Sequence, residues 1–107
     1  GNDGAASLAS ALEENRFLRE MNLGINMIGP EGAEAIASAL RVNRSLRNLN
    51  LLSNKIESEG GLSIASALLQ NPSLRKIDLD RNGMSNDLKR KIERLVELNK
   101  PGLVDAA

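Results

Sequence analysis

The sequence predicts an α/β solenoid with short parallel strands on one face and helices on the other. Three observations predict it. Slid against itself by 28 residues, the 107-residue chain aligns LREMNLGIN from Leu18 with LRNLNLLSN from Leu46 and LRKIDLDRN from Leu74, without a gap. A second block repeats at the same spacing: GAASLASALEEN from Gly4, GAEAIASALRVN from Gly32 and GGLSIASALLQN from Gly60. The first block alternates as a strand does, and the second carries apolar residues at helical spacing. Each unit is therefore a strand followed by a helix, the crossover that parallel strands require.

The elements follow in order. Gly1 occupies the repeat position of Gly29, so the chain opens on a helix with no strand before it. Met21 and Leu23 then point to one face with Asn22 between them on the other; Leu49, Asn50 and Leu51 repeat this, as do Ile77, Asp78 and Leu79. Gly29-Pro30-Glu31 starts the next helix, with proline at its first position and an acid favourable to the dipole. Ala33, Ile36, Ala37 and Leu40 form its inward stripe, small enough to let helix and sheet approach closely. Asn43 and Asn71 are predicted to end helices in the left-handed conformation that asparagine tolerates. In the third helix Leu62 and Leu69, seven apart, are predicted to face outward. Ser85, Asn86 or Asp87 starts the fourth. Its apolar stripe is Leu88, Ile92, Leu95 and Val96, at positions i, i+4, i+7 and i+8. Lys89, Arg90, Lys91, Arg94 and Lys100 lie elsewhere on it. With Glu93 and Glu97 interleaved, they read as a solvated outer face with i,i+4 pairs, in preference to a basic patch for acidic lipids or an acidic partner. The tail Leu103–Ala107, after Pro101-Gly102, is expected to dock weakly or not at all.

The strand block has the form L-x-x-[L/M/I]-x-L-x-x-N, closed by Asn26, Asn54 and Asn82, and the helix block the form G-[AG]-x-x-I-A-x-A-L. Together they resemble the ribonuclease-inhibitor-type leucine-rich repeat over residues 1–100. The resemblance implies a right-handed horseshoe with parallel strands on the concave face and helices on the convex face. It divides the chain into a partial repeat 1–16, repeats 17–44 and 45–72, a capping repeat 73–100 and a tail 101–107. A solenoid needs about three or more repeats with capped ends, so the chain is expected to be the C-terminal repeats of a longer array.

Composition excludes much chemistry. Lys plus Arg and Asp plus Glu both number 14, which argues against nucleic acid as partner. There is no Cys, hence no disulfide framework or thiolate ligand. There is no His, hence no imidazole base or metal ligand. Phe17 is the single aromatic residue, too few for base stacking. Apolar runs are too short for membrane insertion. No cofactor, metal or small-molecule substrate is expected, and catalysis is not expected from an open sheet without a closed site. Asp78 and Asp80, on one strand face about 6–7 Å apart by strand rise, and Glu20 are the only carboxylates worth that test. The lack of Cys, set beside the disulfide-capped extracellular arrays of the resembling family, points to the cytoplasm.

The expected function is a non-catalytic scaffold binding protein partners on the concave face. Its outward rows are Arg19, Arg47 and Arg75; Glu20, Asn48 and Lys76; Asn22, Asn50 and Asp78; then Gly24, Leu52 and Asp80, and last Ile25, Ser53 and Arg81. The arginine row can grip carboxylates or phosphates or lie with its stems along the sheet edge. Ile25 and Leu52 are apolar where exposure is predicted, as interface anchors are. Asn26, Asn54 and Asn82 read as structural amides that satisfy backbone groups where the strand turns away. The resemblance also allows an enzyme regulator similar to the GTPase-activating proteins for Ran, or the sensing segment of a NOD-like receptor.

Overall fold

The computed structural model describes residues 1–99; Lys100 and the tail 101–107 lie outside the described residues. Four helices alternate with three strands: α1 (Asn2–Glu14), β1 (Glu20–Asn22), α2 (Pro30–Val42), β2 (Asn48–Asn50), α3 (Glu57–Leu68), β3 (Lys76–Asp78) and α4 (Asn86–Glu97). The strands form one parallel sheet in the order β1-β2-β3. Its register repeats the sequence period: Glu20, Asn48 and Lys76 are aligned, as are Asn22, Asn50 and Asp78. This is the leucine-rich-repeat fold, and the sequence predicted its element order and parallel sheet.

The core lies between sheet and helices. Leu23, Leu49, Leu51, Ile77 and Leu79 come from the strand blocks, and Ala33, Ile36, Ala37, Leu40, Ile64 and Leu68 from the helices; all are buried. Small residues set the helix spacing. At Gly60 an added Cβ would stand 2.5 Å from Ile56 Cγ2 and 2.9 Å from Ala33 Cβ, so only glycine permits α3 to lie this close to α2.

Pro30 is the first residue of α2, as Gly29-Pro30-Glu31 predicts. The orphan amides of that helix start are met from another helix: the Gly29 and Gly32 amides donate to Asn2 Oδ1 of α1, at 2.8 and 3.1 Å. Asn2→Ala should therefore cost about 1 kcal/mol, the usual worth of a cap, read as a lower thermal midpoint. The fourth helix starts on Ser85, whose Oγ accepts from the Leu88 amide at 3.2 Å.

One expectation is corrected. Asn43 ends α2 at φ −72° and ψ 135°, an extended and not a left-handed conformation, and Asn71 is likewise absent from the positive-φ positions. What selects asparagine there is the side chain. Asn43 Nδ2 donates to the carbonyls of Leu12 and Asn15 in the preceding repeat at 2.8 and 2.9 Å, while its Oδ1 accepts from the Ser45 and Leu46 amides at 3.0 and 2.8 Å. Asn71 repeats this: its Nδ2 reaches Leu40 and Asn43 carbonyls at 2.7 and 3.1 Å, and its Oδ1 accepts from Ser73 and Leu74 at 2.9 and 2.8 Å. Each amide clamps the entry of one strand to the exit of the helix one repeat earlier.

A second ladder of amides holds the other end of the strands. Asn54 Oδ1 accepts from the Asn26 and Ile28 amides at 3.0 and 2.9 Å, and its Nδ2 donates to Leu23 and Leu51 carbonyls at 2.9 and 3.0 Å. Asn82 donates to Leu51 and Leu79 carbonyls at 2.7 and 3.1 Å. Both are buried. Asn26, at the first repeat position, is exposed, and its Nδ2 donates only to the Gly24 carbonyl at 3.1 Å.

Candidate functional site

The strand face is built by alternation. With Met21, Leu49 and Ile77 turned to the core, the side chains of Glu20, Asn48 and Lys76 and of Asn22, Asn50 and Asp78 stand on the opposite side. The two rows floor a shallow open depression of about 420 Å³. Within it Asn48 Nδ2 donates to Glu20 Oε1 at 3.2 Å across the strands. The surface is amides with one carboxylate and one ammonium in the upper row and one carboxylate in the lower.

The lower row has a second task. Asn22, Asn50 and Asp78 each accept, through Oδ1, the amide two residues on: Gly24 at 3.0 Å, Leu52 at 2.9 Å and Asp80 at 3.0 Å. These side chains turn the chain out of the sheet. The parallel ladder nevertheless continues past the turn, with the Ile25 amide donating to the Leu52 carbonyl and the Ser53 amide to that of Asp80, both at 2.9 Å.

Beyond the turn lies a strained rim. Ile25, Ser53 and Arg81, one repeat apart, all sit at positive φ, of 57°, 54° and 60°. For β-branched Ile25 this is a real cost, since its side chain crowds the backbone in the left-handed region. Ile25 is also 77% exposed, whereas Leu52 is half-buried. An apolar, strained and solvent-facing residue at the edge of the strand face gains nothing for folding. Ile25→Asn should raise stability by about 0.5–1 kcal/mol, by relief of that strain; a fall in the unfolding midpoint would contradict this.

The arginine row stands apart from the depression. Arg19 and Arg47 lie beside the loops that join helices to strands, with Arg16 and Arg44. Arg47 Nη1 donates to the carbonyls of Arg44, Ser45 and Ser73 at 3.1, 3.2 and 3.4 Å. Arg75 flanks Lys76 and Ile77 at the β3 edge, with Glu93 and Glu97 of α4 beside it. Asp80 and Arg81 sit past the turn. The Asp80 carboxylate accepts from Lys89 Nζ at 2.7 Å, a bond that sequence reasoning placed within α4 instead. It raises the Lys89 ammonium above its ordinary 10.5. A raised value means the attraction is fully present below the ordinary lysine value and is lost as pH rises through the raised one.

No group of His, Cys, Asp or Glu able to hold a metal ion occurs among the described residues, and no helix there is long and apolar enough to cross a membrane. The arrangement is an open surface of hydrogen-bonding groups with one exposed apolar residue, Ile25, at its rim.

Comparison with known proteins agrees with the fold. A leucine-rich-repeat family model matches residues 14–37 and 42–65. The solved structure titled "Leiomodin-1 Actin-Binding Site 2 (ABS2)" superposes with a TM-score of 0.77 at 31% identity, over 89% of this chain and 56% of that one. The C-terminal domain of tropomodulin from Caenorhabditis elegans superposes with a TM-score of 0.74 at 19% identity, over 89% of this chain and 58% of that one. The second likeness is one of fold alone. The chain thus spans little more than half the length of either structure. A search of curated protein sequences finds no match.

Proposed function

We propose that this chain, which has the leucine-rich-repeat fold, is a non-catalytic binding module whose concave strand face docks a protein partner. The observation that carries the reading is the pairing of an open, hydrogen-bonding strand face with Ile25, an exposed apolar residue held in a strained conformation at its rim. Interfaces of this kind take most of their energy from a few such anchors within a polar surround. The 28-residue strand–helix period supports the ribonuclease-inhibitor-type subclass.

Actin is the partner we propose to test first. Support comes from the leiomodin segment, named for an actin-binding site and 31% identical to this chain. The purified chain is titrated with monomeric actin, followed by fluorescence anisotropy, and with filaments, followed by cosedimentation. The variant is Asn48→Arg with Lys76→Glu. These two residues serve no turn, unlike Asn50 and Asp78, so the fold is kept. Changing the pattern of charge on the face should weaken binding by about tenfold or more. Actin binding equal in both proteins would place the contact off the strand face. Binding by neither would remove actin as the partner.

A further inference from the structure

The convex side carries a groove that the strand face does not explain. It runs between α3 and α4, encloses about 650 Å³ and is almost wholly apolar. Leu62 and Leu69 form one wall and are 60% and 74% exposed. Leu88 and Leu95 form the other.

The sequence shows why it is there. Counting by the repeat, Leu88 stands where Gly32 and Gly60 stand, and Leu95 where Ala39 and Ala67 stand. Those small residues are buried and form the close seams of the earlier helices. Two leucines in their places hold α4 off α3 and leave their own sides half-uncovered. The gap is then edged by Arg90, Lys91 and Arg94, and its lining contains no Asp or Glu. Two acids of α4 are on another face, since Glu93 and Glu97 line the depression beside Arg75 and Lys76 at the end of the sheet; the third, Asp87 in the first turn, is not among the residues lining the groove.

We propose that this groove docks an acidic amphipathic helix of a protein partner. Its leucines enter between α3 and α4, and its carboxylates pair with Arg90, Lys91 and Arg94. The charge of the edge selects the sign of the partner, because a lining with three cations and no acid disfavours a basic helix and favours an acidic one. The spacing of Leu62 and Leu69 spans two helical turns, about 10 Å, which matches apolar anchors at i, i+3 or i+4, and i+7 on the guest. A trough with its leucines set between two helices suits a helix better than a flat bilayer surface, which requires protruding apolar side chains.

The test uses the whole chain and a fluorescein-labelled synthetic helix of about 18 residues, long enough for anchors at i, i+3 and i+7. The probe carries leucine at those anchors and glutamate beside them. A second probe carries lysine in place of every glutamate. Fluorescence anisotropy should show saturable binding of the acidic probe and none of the basic one. Leu62→Ser with Leu69→Ser should abolish binding, and Arg90→Glu with Lys91→Glu should weaken it by about tenfold or more. All four positions are exposed, and far-ultraviolet circular dichroism with the thermal midpoint confirms that both variants fold. Glu13→Gln on α1, exposed and away from α3 and α4, should leave the affinity unchanged. Failure of the acidic probe to bind, or binding indifferent to the leucine pair, overturns the proposal. So does capture by phosphatidylserine vesicles without the probe, which would make the surface a membrane contact. A leucine-dependent dimer in light scattering would overturn it too, since a second copy would then cover the groove.

Discussion

Replacing Asn54 by alanine should lower the unfolding free energy by about 3 kcal/mol or more, since several buried amides and carbonyls lose their partners at about 1–3 kcal/mol each. Three backbone groups depend on this one side chain, the Asn26 and Ile28 amides and the Leu23 carbonyl, whereas the Leu51 carbonyl that it also meets keeps its bond from Asn82. The Ile28 amide and the Leu23 carbonyl belong to buried residues, so water does not readily replace what is lost. Asn22→Ala is the comparison. Its side chain serves one amide on an exposed turn, and its loss should cost no more than about 1 kcal/mol. Urea unfolding of both variants measures the difference. Equal, small losses would mean that the amide ladder contributes little, and that packing alone joins the repeats.

The second large effect lies in the helices. Leu40 is fully buried in α2, and Leu40→Ala should cost about 2–5 kcal/mol, from lost transfer energy and the cavity left behind. Leu62→Ala on α3 removes the same atoms from a residue that is 60% exposed and should change stability by less than about 0.5 kcal/mol. The pair separates folding from recognition, because a residue that costs nothing to remove is free to be kept for binding. A loss at Leu62 approaching that at Leu40 would show that the groove wall belongs to the core.

The fold was legible because its determinants are local and repeated. Alternation set the strand face, Pro30 set a helix start, and the spacing of Leu88, Ile92, Leu95 and Val96 set the inner side of α4. The rows Glu20–Asn48–Lys76 and Asn22–Asn50–Asp78 followed from the same register. What the sequence hid were interactions between repeats. The recurrence of asparagine at positions 15, 43, 71 and 99 was visible, but its meaning is a hydrogen bond across 28 to 31 residues, which no local rule of helix ending supplies. The Lys89–Asp80 pair lies within the last repeat, but it joins α4 to the turn after β3, which helical spacing alone does not show. The groove was half legible: Leu62 and Leu69 read as outward, and the departure of the last repeat from the glycine pattern read as a cap. That the two features face one another depends on helix packing. The positive φ at Ile25 had no sequence signal, since isoleucine is among the residues least suited to it.

The amide ladders have a mechanical consequence. A chain pulled from its two ends meets no single continuous brace, because each clamp joins only one repeat to the one before it. Asn99 holds the Asn71 and Leu74 carbonyls, Asn71 holds those of Leu40 and Asn43, and Asn43 holds those of Leu12 and Asn15. Force therefore loads the outermost clamp first and passes to the next only when that one parts. Extension should proceed as peeling, one repeat at a time, each event releasing about 28 residues or roughly 95 Å of extended chain. Such a molecule yields in steps under tension, as a zipper does, and does not fail all at once.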